Sequence, residues 1–133
     1  MSTDSTSASK LDWRLELIQV PVADVDRAKA FYENVGFNAD HDHRIHDGLR
    51  FVQLTPPGSA CSIVIGLGIT EMTPGTQQIQ VVVPDAGAAR QQLLDAGVEA
   101  SDIDAQPFGN FVYFRDPDGN KWSLQALESR PNG

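Results

Sequence analysis

With 133 residues the chain has room for one domain and one hydrophobic core. Its 10 Lys and Arg against 18 Asp and Glu leave a formal charge of −8, which repels phosphate backbones and anionic lipid surfaces, so neither nucleic acid nor membrane is an expected partner. No apolar run is long enough to span a bilayer, the N-terminus lacks a secretory pattern, and a lone Cys61 cannot form an internal disulfide; together these suit a cytoplasmic protein.

Residues 1–10, MSTDSTSASK, have almost nothing to bury and read as a disordered tail, and 129–133 as a second tail. Between them 11–128 reads as a single domain of two modules, 11–68 and 75–128. Structure is expected to begin near Trp13. Ile18, Val20 and Val22 then alternate with Leu17, Gln19 and Pro21 as in a strand packed on one face. Asp24 can accept the free backbone N–H groups of a helix start, Ala28, Phe31, Tyr32 and Val35 form one apolar side, and Gly36 ends the helix. Strands are expected over Phe37–His43, Leu49–Thr55 and Cys61–Leu67, with a turn at Ile45–Gly48 and a break at Pro56, Pro57 and Gly58. Gly68 to Gly75 links the halves.

The second half repeats the first. Ile79, Val81 and Val83 alternate, Asp85 caps, Ala89, Leu93 and Ala96 make the stripe, and Gly97 stops it, each 61 residues after its counterpart. A short strand is expected near Val98–Ser101, then strands over Asn110–Arg115 and Lys121–Leu127 joined by a turn at Asp116, Pro117, Asp118 and Gly119. The expected fold is therefore α+β: two tandem βαβββ modules forming a curved mixed sheet with a concave cleft, helices on the outer face.

This tandem arrangement, with VPVADVDRAKAFYENVGF in the first unit and FRDPDGNKWSL near the end, resembles the vicinal oxygen chelate superfamily of glyoxalases, bleomycin-resistance proteins and extradiol dioxygenases. The likeness covers nearly all of Trp13 to Leu127 and is specific for fold, not for activity. In metal-dependent members of that family the ligands fall seven residues before each capping Asp and four after the DPDG glycine, positions that here hold Leu17, Gln78 and Ser123. A further ligand, the glutamate used by glyoxalases on the fourth strand, would fall near Ile65 or Gly66 and is absent. The resemblance thus implies a dismantled metal site, and with it the loss of the Lewis-acid chemistry of lyases and ring-cleaving dioxygenases. No metal or other cofactor is expected.

Strand phase turns Gln19, Gln78 and Gln80 toward the concave side, with Ser123 and Gln125 on the last strand. Amides there can donate to and accept from a neutral polar ligand, or bond each other or a buried water. Phe111 and Tyr113 share a face and either wall the cavity for a flat ligand or pack in the core, whereas Trp122, of opposite phase, belongs to the core. His41, His43 and His46 are weak metal candidates: two imidazoles on one strand face can grip zinc or nickel, serve as a base, or simply be solvated. The sequence favours a small-molecule-binding protein of the bleomycin-resistance type, acting as a homodimer either side by side or by exchange of halves. The alternative is a metal-independent or unusually liganded enzyme of lyase, isomerase or dioxygenase type, acting on a carbonyl-containing or aromatic small molecule in the same cleft.

Overall fold

The computed structural model describes residues 10–127; apart from Lys10, the two expected tails lie outside the described residues. The elements follow in the order β1 (Leu17–Gln19), α1 (Val25–Asn34), β2 (Asn38–His46), β3 (Leu49–Thr55), β4 (Ser62–Leu67), β5 (Gln78–Val82), α2 (Ala86–Asp95), β6 (Asp104–Gln106), β7 (Gly109–Arg115) and β8 (Lys121–Ala126). The two helices start 61 residues apart and are capped alike. Asp24 accepts from the Arg27 N–H and Asp85 from the Ala88 N–H, satisfying donors that a helix start leaves free. Gly36 and Gly97 follow with φ of 112° and 78°, the region in which a residue past a helix end reverses the chain.

Each module builds one four-stranded sheet, ordered β1-β4-β3-β2 in the first and β5-β8-β7-β6 in the second. In both, the first strand runs parallel to the last and the rest are antiparallel. The molecule is thus α+β, two tandem βαβββ units, and among the described residues no further strand pairs with β1 beyond β4 or with β5 beyond β8. Two elements differ from the sequence expectation. The strand expected near Val98–Ser101 lies instead at Asp104–Gln106; Ser101 only touches the sheet, its N–H donating to the Tyr113 carbonyl. The strand β2 runs on to His46, leaving Asp47 and Gly48 as a two-residue hairpin loop.

One core serves both modules. The helix-bearing face of the first sheet (Val52, Leu54, Ile63, Ile65) and that of the second (Val112, Phe114, Trp122, Leu124) belong to a single buried cluster with Ala28, Tyr32 and Leu93 from the helices. At its centre the Tyr32 hydroxyl donates to Asp116 Oδ2 at 2.7 Å and accepts from Trp122 Nε1 at 3.0 Å. Burial, and then the Asp116 charge, push the Tyr32 phenol far above its usual range, so it remains a donor. Asn120 donates from Nδ2 to Asp116 Oδ2 and to the Pro21 carbonyl. The residues of the DPDGN turn thereby fasten the second module to the first.

The first module has its own surface clamp. Arg50 grips Asp42 with two N–H groups, at 3.0 and 2.8 Å, and reaches Asp26 at 2.8 Å, while Lys29 reaches Asp42 at 2.9 Å. Hydrogen bonds from Arg50, then Lys29, hold the Asp42 carboxyl well below the usual carboxylate range. A depressed folded pKa contributes stability that is full above the unfolded value, about 3.9, and is lost as pH falls through that value toward the folded one. Asp42→Asn is therefore expected to destabilise at pH 7 and to differ progressively less from the parent as pH falls below about 4. Urea unfolding across that range measures it; a gap that stays constant would contradict the clamp.

Candidate ligand site

The face of the second sheet away from the helices gathers six of the expected site residues. Register sets Gln78 beside Lys121, and Gln80 beside Ser123 beside Tyr113. The next row is Val82, Gln125 and Phe111. Gln80 Nε2 donates to Gln125 Oε1 at 2.8 Å, and Gln125 Nε2 donates to the Phe108 carbonyl at 2.8 Å. This chain fixes both amides and leaves the Gln80 carbonyl oxygen with no bond among the described residues. Beside it the Phe111 and Tyr113 rings stack at 6.0 Å and 16°, and Phe108 meets Phe111 edge-on at 6.0 Å. Tyr113 is half-exposed and Phe108 largely exposed. The Tyr113 hydroxyl donates to Asp104 Oδ2 at 2.7 Å, and that bond raises its pKa. A cavity of about 1040 Å³ has Gln78, Gln80, Tyr113 and Ser123 in its lining together with helix-side residues such as Phe31 and Ala100.

Gln19 lies on the other sheet, on the face away from the helices, in a row with Val64, Gln53 and His41. The structure does not pair it with Gln80, whose amide is held by Gln125. His43 follows His41 on that face, and their rings stack at 5.7 Å and 25°. His46 stands apart, its Nδ1 accepting from the Gly48 N–H in the hairpin loop. Among the described residues no three His, Cys, Asp or Glu side chains come together as a metal cluster. Next to this row a polar chain crosses three strands: Asn38 donates to Asp40, Thr55 to Asp40, Thr55 and Ser62 share a bond, and Gln53 donates to Ser62.

The chain belongs to the Glyoxalase/Bleomycin resistance protein/Dioxygenase superfamily, whose family model matches residues 14–124. It is similar in structure to TnmS3, an antibiotic binding protein from Streptomyces sp. CB03234, with 30% sequence identity, a TM-score of 0.81, and coverage of 90% of this chain and 99% of that one. A glyoxalase/bleomycin resistance protein from the same organism is 32% identical, with a TM-score of 0.74 over 84% of this chain and 99% of its own. In sequence the chain is 28% identical over 114 residues to the YetH protein of Bacillus subtilis (strain 168), covering 81% of this chain and 93% of that protein.

The resemblance places metal ligands at Leu17, Gln78 and Ser123, with a further one near Ile65 or Gly66. Leu17 offers only hydrocarbon, Ser123 a neutral hydroxyl and Gln78 one amide oxygen. Ile65 is fully buried on the helix side. At Gly66 a Cβ would stand 1.8 Å from the Arg50 carbonyl oxygen, so backbone occupies the space a side chain would need. Sequence reasoning missed Asp104 and Phe108, which hold Tyr113 and Gln125 in place. Asp104 was hidden by the misplaced second strand of the second module. Phe108 acts through its carbonyl, which leaves no mark in the sequence.

Proposed function

We propose that this protein binds a flat, partly aromatic small molecule bearing carbonyl or hydroxyl groups against the open face of the second sheet, and that it does so without a metal at the family position. The observation that carries the reading is the stacked pair Phe111 and Tyr113 lying alongside the fixed amides of Gln80 and Gln125. The Tyr113 ring, backed by the buried Phe111, supplies a stacking floor, and the ordered amides supply directional bonds at no further entropic cost. The similarity to TnmS3, an antibiotic binding protein, supports the binding of a small molecule. The test is a thermal-shift screen of aromatic natural products, followed by titration of the best hit. Gln80→Leu is expected to weaken binding by about 1–3 kcal/mol, because it leaves a polar group of the ligand unpaired in a desolvated site. Unchanged affinity in Gln80→Leu and Tyr113→Ala together would overturn the assignment of this face.

Gln19 joins the site through a homodimer in this proposal. The open face of the first sheet, with Gln19, Gln53 and His41, closes over the ligand from a second copy. Elemental analysis of protein purified without chelator is expected to find no stoichiometric zinc, nickel, iron or manganese. One equivalent of metal that disappears on Leu17→Arg would contradict the reading. A second reading, a metal-independent enzyme acting next to a carbonyl, draws on the stacked His41 and His43 at the same open face. It requires turnover of a bound ligand that is abolished in His41→Ala or His43→Ala, with binding retained.

A further inference from the structure

Next to the row of Gln80, Ser123 and Tyr113, on the side of the DPDG turn, the open face of the second sheet carries Gln78, Lys121 and Arg115. Alternation along β7 and β8 sets both cations on the face of Tyr113 and Ser123, with Phe114 and Trp122 buried on the other. Arg115 and Lys121 are register partners, so two like charges oppose one another across the strands, which destabilises a sheet unless an anion offsets it. No carboxylate among the described residues does so: neither cation makes an ion pair, whereas Arg27, Lys29, Arg50 and Arg90 each find an aspartate. Arg44 and Arg50 are register partners too, but there Asp26 and Asp42 close on Arg50. Arg115 and Lys121 line the cavity that holds Gln78, Gln80, Tyr113 and Ser123. Of the carboxylates in the same lining, Asp116 is occupied by Tyr32 and Asn120, and Glu99 pairs with neither cation.

We propose that Arg115 and Lys121 form an anion subsite, and that the ligand is an aromatic carboxylate whose ring stacks on Tyr113 while its carboxylate lies between the two cations. The inference rests on the assignment of the ligand to this face and adds the ligand's charge to it. Successive rows on one strand face are about 7 Å apart, so a ring over Tyr113 carries a substituent on its edge to the cation row. Arginine presents paired N–H groups in the plane that a carboxylate matches, and lysine adds a second point charge. A neutral ligand would leave the repulsion between the cations in place, whereas a carboxylate turns it into attraction to a common partner. A carboxylate also lies close to the plane of the ring that bears it, which suits a site floored by a sheet; a tetrahedral phosphate does not. The formal charge of −8 is no obstacle. At physiological ionic strength charges are screened over about 8 Å, so the ligand responds to the two cations beside it and little to carboxylates elsewhere.

The experiment uses the full chain and three probes: a hydroxynaphthoate, the corresponding hydroxynaphthamide, and naphthyl phosphate. Each is titrated calorimetrically into the parent, into Tyr113→Ala and into the double variant Arg115→Gln, Lys121→Gln. Both cations are exposed, so the double variant is expected to keep the fold, with circular dichroism as the check. The expected result is that the parent binds hydroxynaphthoate at least about tenfold tighter than hydroxynaphthamide, as for a charge-assisted hydrogen bond. That advantage disappears in the double variant and shrinks as salt is raised. Equal affinity for the acid and the amide, both weakened by Tyr113→Ala, would overturn the anion subsite and leave the ligand on this face. A preference for the acid that survives in the double variant would overturn the subsite as well, since other groups would then hold the anion. Naphthyl phosphate as the tightest probe would overturn the carboxylate assignment. Probes that do not bind, or that bind equally well to Tyr113→Ala, would overturn both the subsite and the reading of the face on which it rests.

Discussion

Asp116→Ala is expected to lower the unfolding free energy by about 3–5 kcal/mol, the cost of removing one partner from a buried, charged hydrogen-bond cluster. Four donors converge on the two Asp116 oxygens: the backbone N–H groups of Asp118 and Asn120 on Oδ1, and the Tyr32 hydroxyl and Asn120 Nδ2 on Oδ2. Without the carboxylate all four lose their acceptor in a place water does not reach, since Asp116 is 4% exposed and Asn120 1%. Asp116→Asn is no repair, because either orientation of the amide points N–H groups at two of those donors. Tyr32→Phe should cost less, about 1–3 kcal/mol, since it strands Trp122 Nε1 but leaves Asp116 with three donors. Urea titration with an unchanged slope reads these differences. An Asp116→Ala loss under about 1 kcal/mol would show that the cluster does not hold the modules together.

Gly66→Ala is expected to be of similar size, about 3–5 kcal/mol, for a different reason. The new methyl would meet the Arg50 carbonyl oxygen at 1.8 Å and its carbon at 2.9 Å. Backbone cannot rotate away as a side chain can, so β3 and β4 must part where Arg50 pairs with Leu67 and Phe51 with Gly66. Gly66→Glu should fail in the same way. Installing the family carboxylate at this position, even together with Leu17→His, is therefore expected to give an unstable protein in place of a metal-binding one. Equilibrium unfolding of Gly66→Ala, followed by elemental analysis of the double variant, provides the check; a stable double variant holding one equivalent of zinc would refute it.

What could be read from the sequence was whatever is local and periodic. Asp24, Asp85, Gly36 and Gly97 mark both helices because capping and chain reversal are chemistry of single positions. The inward phase of Trp122, and the shared face of Gln80 and Ser123, followed from period-two alternation on strands whose pairing the repeat implied, whereas alternation alone left Tyr113 open between cavity wall and core. The misses are where partners are remote or the segment is short. Asp104–Gln106 has no β-branched residue and is a strand through its pairing with β7. Asp116 read as a turn residue, since nothing in DPDGN announces a tyrosine 84 positions earlier. Structure was expected to begin near Trp13, yet that side chain stands in solvent, because hydrophobicity says that a residue seeks cover and not whether its own chain provides it.

The asymmetry of the central latch also bears on how the protein is made. Tyr32 lies 90 residues before Trp122, so at a synthesis rate of roughly 5–20 residues per second the first module waits roughly 5–18 s for the ring that covers it. During that interval Phe31, Tyr32 and Phe37 present an aromatic face with no lid, the kind of surface that draws chaperones and neighbouring nascent chains. The second module meets no such delay, since its aromatic cover has already been translated when β8 leaves the ribosome. The two halves repeat one another in design but not in hazard, and the vulnerable moment in this protein's life falls on its first half.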